Sequence, residues 1–112
     1  MTDKEMLGLA AKAAGINVVC FDSERNALKT KCATPSRWNP LTDDGDALRL
    51  LCKRSMRIVE DHGGAYRAVQ FTLHPETDEE AEHEIEIEWP HTPAATRRAI
   101  TRAAAEIGKE MK

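Results

Sequence analysis

The stretch WNPLTDDGDALRLL, from Trp38 to Leu51, constrains this chain more than any other. Asn39 followed by Pro40 is a helix opening: an Asn side chain accepts an orphan backbone N–H, and proline at the first helical position gives up an N–H that had no partner. A second start lies a turn later, at Thr42 or Asp43. With either start, Asp43, Asp44 and Asp46 fall near the positive end of the helix dipole, where carboxylates are favoured by roughly 0.3–1 kcal/mol each. Leu41, Leu48, Leu51 and Cys52 then recur on one helical face, with Arg49, Lys53 and Arg54 on the other side or in the last turn.

The remaining elements follow from patterning. Thr2-x-x-Glu5 is a capping box, Met6, Leu7, Ala10, Ala11 and Ala14 form a helical stripe, and Gly15 supplies the left-handed residue that closes such a helix. Ile16 to Phe21 is a β-branched apolar run of strand length. Leu28 to Cys32 alternates, and reads either as a short edge strand paired back through a turn at Ser23 to Asn26 or as a loop. After the central helix, Met56 to Glu60 reads as a strand, His62-Gly63-Gly64 as a turn, and Ala65 to Leu73 as a strand whose Arg67, Val69, Phe71 and Leu73 face a core. Glu84 to Trp89 alternates strictly, with Ile85, Ile87 and Trp89 on one side and Glu84, Glu86 and Glu88 on the other. Thr92 then caps a helix that begins at Pro93 and carries Ala95, Ala99, Ile100, Ala103, Ile107 and Met111 as its inner stripe.

The order is therefore α-β-α-β-β-β-α in one domain, residues 1–112. The first strand, central helix and next strand form a βαβ unit, which gives a parallel pair, and the last three strands, joined by short connections, are antiparallel. An α/β (α+β) fold with a mixed sheet of about four strands follows, with helices plausible on both faces. The Ala-rich inner faces of the first and last helices suit a close approach to that sheet.

Three blocks carry a resemblance: MLGLAAKAAGI at Met6 to Ile16, the central block from Trp38 to Leu50, and ATRRAITRAAAEIG at Ala95 to Gly108. Together they resemble the phage ABA-sandwich-domain family, small bacteriophage and prophage proteins with a WNPL..DDGDALRL block. The central block is the specific part, since Ala-rich helices are common. The resemblance implies a three-layer α-β-α sandwich and a phage context. It carries over no catalytic residue, because the family has no established activity.

Chemistry is sparsely signalled. Cys20, Cys32 and Cys52 form no close pair and leave one odd thiol in any disulfide scheme, which suits a reducing compartment. Close pairs such as Cys-x-x-Cys or His-x-x-x-His, which zinc would need, do not occur. Asp43, Asp44 and Asp46 invite a divalent cation, but an EF-hand loop needs Glu at its twelfth position and Arg54 stands there; helix capping accounts for all three. Trp38 suits a hydrophobic staple better than a stacking platform, and Cys52, on the apolar stripe, suits a small core residue better than a nucleophile. Neither a nucleophile elbow nor a phosphate-binding glycine loop is present, so neither an enzyme nor a cofactor is expected. Without an apolar run of transmembrane length or a secretory h-region after MTDKEMLG, the expected location is the cytoplasm, away from the membrane, which in the phage context that the resemblance implies is the bacterial host cytoplasm.

Charge supplies the one candidate surface. From Glu76 to Glu88 the chain carries eight acidic residues in thirteen, with no Lys or Arg among them. Glu80, Glu82, Glu84, Glu86 and Glu88 would form an interaction surface, or a solvated face that protects an edge strand. Carboxylates every second residue of a strand lie about 6.5–7 Å apart, comparable to phosphate spacing, so an acidic nucleic-acid mimic acting on a host DNA-handling enzyme is an alternative. A formal charge of only −3 weakens the field such mimicry needs. Direct nucleic-acid binding through Arg97, Arg98 and Arg102 with Arg49, Lys53, Arg54 and Arg57 is disfavoured by the few aromatics and the acidic balance. The sequence thus points to a non-enzymatic binding or accessory module, its partner a host or phage protein or a second copy making a homodimer through an exposed sheet edge.

Overall fold

The computed structural model describes residues 2–16, 18–22, 27–30, 37–72 and 82–111. Helix α1 spans Asp3–Ala14; Thr2 caps it by accepting the Glu5 N–H at 3.2 Å. Gly15, at φ 71°, ends it, and the Ile16 N–H returns to the Ala11 carbonyl at 3.0 Å, the closure expected of a left-handed cap. Strands β1 (Val18–Asp22), β2 (Ala27–Thr30) and β3 (Arg37–Trp38) follow, then helix α2 (Asp44–Lys53). Strands β4 (Arg57–Asp61), β5 (Tyr66–Thr72) and β6 (Glu82–Glu86) precede helix α3 (Pro93–Glu110).

The described residues form three α-helices and antiparallel sheet, an α+β class. The strands form two three-stranded sheets, β1-β2-β3 and β4-β5-β6, and every pairing among the described residues is antiparallel. This differs from the mixed sheet of about four strands expected from the βαβ pattern. Of the segment Leu28 to Cys32, which reads as either a strand or a loop, Leu28 to Thr30 belong to β2 and pair with β1, while Lys31 and Cys32 lie outside the described residues. Closing a short hairpin costs less chain entropy than crossing over through α2, so β1 pairs locally. β4 likewise pairs with β5 across the Gly63-Gly64 turn.

α3 is the centre of the molecule. Ala99, Ile100, Thr101, Ala103, Ala104, Ala105, Ile107 and Gly108 are all buried, leaving Arg98, Arg102 and Lys109 along an exposed stripe. α1 lies along it, α2 packs on another flank, and β5 and β6 lie against a third. The Ala-rich faces thus bring two helices together, where closeness to the sheet was expected. Val69, Phe71 and Ile87 complete the core on the sheet side, with Leu7, Leu50, Met56 and Trp38 around the helices. No described helix is long and apolar enough to cross a membrane.

Candidate functional site

The central block is a structural knot. α2 starts at the later of the two sequence openings, with Asp43 as its cap, accepting the Asp46 N–H at 3.0 Å. Asn39 and Pro40 instead form a buried turn: the Asn39 side chain accepts the Leu41 N–H at 2.9 Å, and its carbonyl accepts from Thr42 and Asp43. Asp46 reaches back to accept the Asn39 N–H at 3.0 Å and pairs with Arg49 at 2.7 Å. Asp44 pairs with Arg97 of α3, whose Nε also donates to the Leu41 carbonyl at 3.0 Å. Trp38 is buried in the core. Each carboxylate therefore answers a backbone or guanidinium donor. Among the described residues no three His, Cys, Asp or Glu side chains gather as a metal-binding set.

The acidic strand is partly brought together. Glu80 lies outside the described residues, and of Glu82 only the backbone, in β6, is described. Glu84, Glu86 and Glu88 are exposed. Glu84 and Glu86 lie on one side of β6 and line a groove with Arg102 of α3, and Glu84 accepts from Tyr66 Oη at 3.0 Å and Gln70 Nε2 at 3.4 Å. That hydrogen bond, partial burial, and the charges of Glu84, Glu86 and Asp61 raise the Tyr66 phenol pKa above its ordinary value. The alternation runs on through the buried Ile87 and the exposed Glu88 and breaks at Trp89, which, one residue before the cis Pro90, is 75% exposed.

The basic residues are mostly occupied. Arg97 and Arg49 hold Asp44 and Asp46, Arg98 pairs with Asp3 at 3.1 Å, and Arg54 donates to the Ala13 carbonyl at 2.6 Å. A phosphate-binding patch would have to give up these contacts.

What sequence reasoning missed is apolar. Leu48, placed on the buried stripe, is 61% exposed, and Ile58 of β4 is 47% exposed. Cys52 is exposed too, because α2 buries Ala47 and Leu50, a face rotated from the one expected. Leu48 and Ile58 line one groove of about 360 Å³ with Ala47, Leu51, Pro93 and Ile100, walled by Asp44, His91, Thr96 and Arg97. Trp89 lines neighbouring grooves and reaches this one only through His91, the two rings edge-on with centroids 4.9 Å apart. The signal available in the sequence was Leu48 beside Ala47: a small residue on the seam lets α2 turn its larger neighbour outward.

No known protein family matches the chain, and no curated protein or solved structure matches it.

Proposed function

We propose that this chain is a non-enzymatic protein-binding module whose working face is the Leu48–Ile58 groove. The observation that carries the reading is that Leu48 and Ile58, two exposed large apolar side chains, share one groove with Ala47, Leu51 and Ile100. Single exposed apolar residues are ordinary on a protein surface, whereas a contiguous set rimmed by charge marks an interaction site. A phage or prophage origin, action in the host cytoplasm and a host or phage protein as partner belong to the same reading and rest on the Trp38–Leu50 resemblance. The α-β-α layering implied by that resemblance is supported by the packing of α3 against β5 and β6.

Of the acidic surface that the mimic reading uses, the described side chains are Glu84, Glu86 and Glu88, and Glu84 already serves Tyr66 and Gln70. Affinity capture from bacterial lysate at low and moderate salt separates the two, using the native chain, Leu48→Ser with Ile58→Ser, and Glu84→Gln with Glu86→Gln and Glu88→Gln. The groove reading expects capture to be lost in the first variant and kept in the second. Loss in the second alone, steepened by salt, hands the function to the acidic strand.

A further inference from the structure

We infer that the free edge of β6 takes a short, extended basic peptide segment, added antiparallel as a further strand with Lys or Arg opposite Glu84 and Glu86. This surface lies apart from the Leu48–Ile58 groove and goes beyond the reading of that groove as a binding face.

The backbone of β6 is open on one side. The Ile87 N–H donates to the Arg67 carbonyl at 2.8 Å, so Ile87, and by alternation Ile85 and His83, turn their main-chain groups toward β5. Glu84 and Glu86 therefore turn N–H and C=O the other way, toward an edge that no described strand occupies. Such an edge pairs with an extended chain whose side chains suit it. Beside it runs a groove of about 610 Å³ lined by Glu84, Ile85, Glu86, Glu88, Trp89 and Arg102, and a contiguous cleft reaches Ala95 and Ala99 of α3.

Charge selects the occupant. Glu84, Glu86 and Glu88 are exposed, and among the described residues neither Glu86 nor Glu88 has a hydrogen-bond or ion-pair partner. Glu84 accepts from Tyr66 and Gln70, both neutral, which leaves its charge uncompensated. Arg102 makes no ion pair among the described residues, so the groove sets three carboxylates against one guanidinium. Two β6 edges side by side would oppose carboxylate to carboxylate, which disfavours a second copy here; a strand with cations at alternate positions is drawn in. In antiparallel addition the residues opposite Glu84 and Glu86 exchange hydrogen bonds with them and place their side chains on the same side of the sheet. The residue between them, opposite Ile85, falls on the other side, where Ile85, Ala95 and Ala99 suit an apolar side chain. Trp89, 75% exposed in the same groove, adds an indole whose π-face attracts cations as well.

The test is a backbone-amide NMR titration of the full chain with acetyl-Lys-Val-Lys-Val-Lys-amide at low and moderate salt. The expected result is saturable shifts at the Glu84 and Glu86 amides and the Trp89 indole N–H, weakened by salt, with a dissociation constant raised about threefold to tenfold in Glu86→Gln with Glu88→Gln. Methylating the backbone N–H groups of the peptide's Lys residues, which face Glu84 and Glu86, should abolish binding; methylating those of its Val residues, which turn away from β6, should leave it within about twofold. The spectrum of each variant shows whether it is folded. Leu48→Ser with Ile58→Ser should bind the peptide as the native chain does, so failure of one surface is distinguishable from failure of the other. No shifts up to millimolar peptide, or shifts confined to residues away from β6, overturn the inference. Equal binding of the two methylated peptides, matched by spermine, overturns the added strand and leaves the carboxylates with plain charge attraction.

Discussion

Gly108 of α3 meets the backbone of α1 at Leu9 so closely that a Cβ at position 108 would lie 2.0 Å from the Leu9 carbonyl oxygen. Backbone cannot yield as a flexible side chain does, so this glycine sets the distance between the two helices. Gly108→Ala is expected to destabilise the fold by about 2–3 kcal/mol, at the upper end for overpacking. Gly8, on the exposed side of α1, has nothing within 4 Å of its Cβ position. Gly8→Ala should stabilise by up to about 1 kcal/mol through helix propensity. Urea unfolding of the two variants beside the native chain tests both signs at once.

Tyr66 is the sole tyrosine, so an ultraviolet titration reads its phenol alone. Its pKa is raised, chiefly by the hydrogen bond to Glu84. The folded chain therefore holds this proton to higher pH than the unfolded chain; the associated stability is present below the ordinary tyrosine value of about 10 and is lost as pH rises through the raised one. Glu84→Gln should move the midpoint back toward the ordinary value. An unchanged midpoint would remove Glu84 as the cause.

The two tryptophans report opposite environments, Trp38 at 7% exposure and Trp89 at 75%. Acrylamide or iodide should quench one emission component and spare the other. Trp89→Phe should leave a blue-shifted, poorly quenched spectrum, and docking of a partner in a groove that Trp89 lines should protect it in the native chain.

The three aspartates of the central block should differ in cost. Asp46→Ala strips the acceptor from the Asn39 N–H, in a buried turn, and should cost about 1–3 kcal/mol. Asp43→Ala removes a helix cap and should cost about 1 kcal/mol. Asp44→Ala breaks a pair whose carboxylate is largely exposed and should cost about 0–1 kcal/mol. Thermal unfolding of the three variants gives the ranking, and a different order would mean that the turn at Asn39 is held by other groups.

Local chemistry was legible in the sequence and long-range partners were not. Thr2, Gly15, Asp43, Thr92 and Pro93 act within one turn of themselves, and each sits where its residue type places it. The inward set of β5, Val69 and Phe71, follows from alternation. What alternation cannot carry is the identity of the surface opposite. Alanine faces suit a sheet or another helix equally, and it is the Gly108–Leu9 approach and the Arg98–Asp3 pair that show α1 to be the partner of α3. The first strand met its partner in a neighbouring hairpin, a choice of closure entropy that a βαβ pattern conceals. The candidate site suffered most. Carboxylates announce themselves in a sequence, whereas an exposed leucine looks like a buried one until the rotation of its helix is known.

The position of α3 has a consequence for biosynthesis. It is made after every element it packs against, and Val69, Phe71, Leu50 and the alanines of α1 share one core with it. A nascent chain that has emerged only as far as β6 holds the inner face of β5 and β6 and the seams of α1 and α2 without the helix that covers them. Folding on the ribosome therefore has little to gain until the last helix arrives, and the preceding segment is the one that a chaperone would have reason to hold.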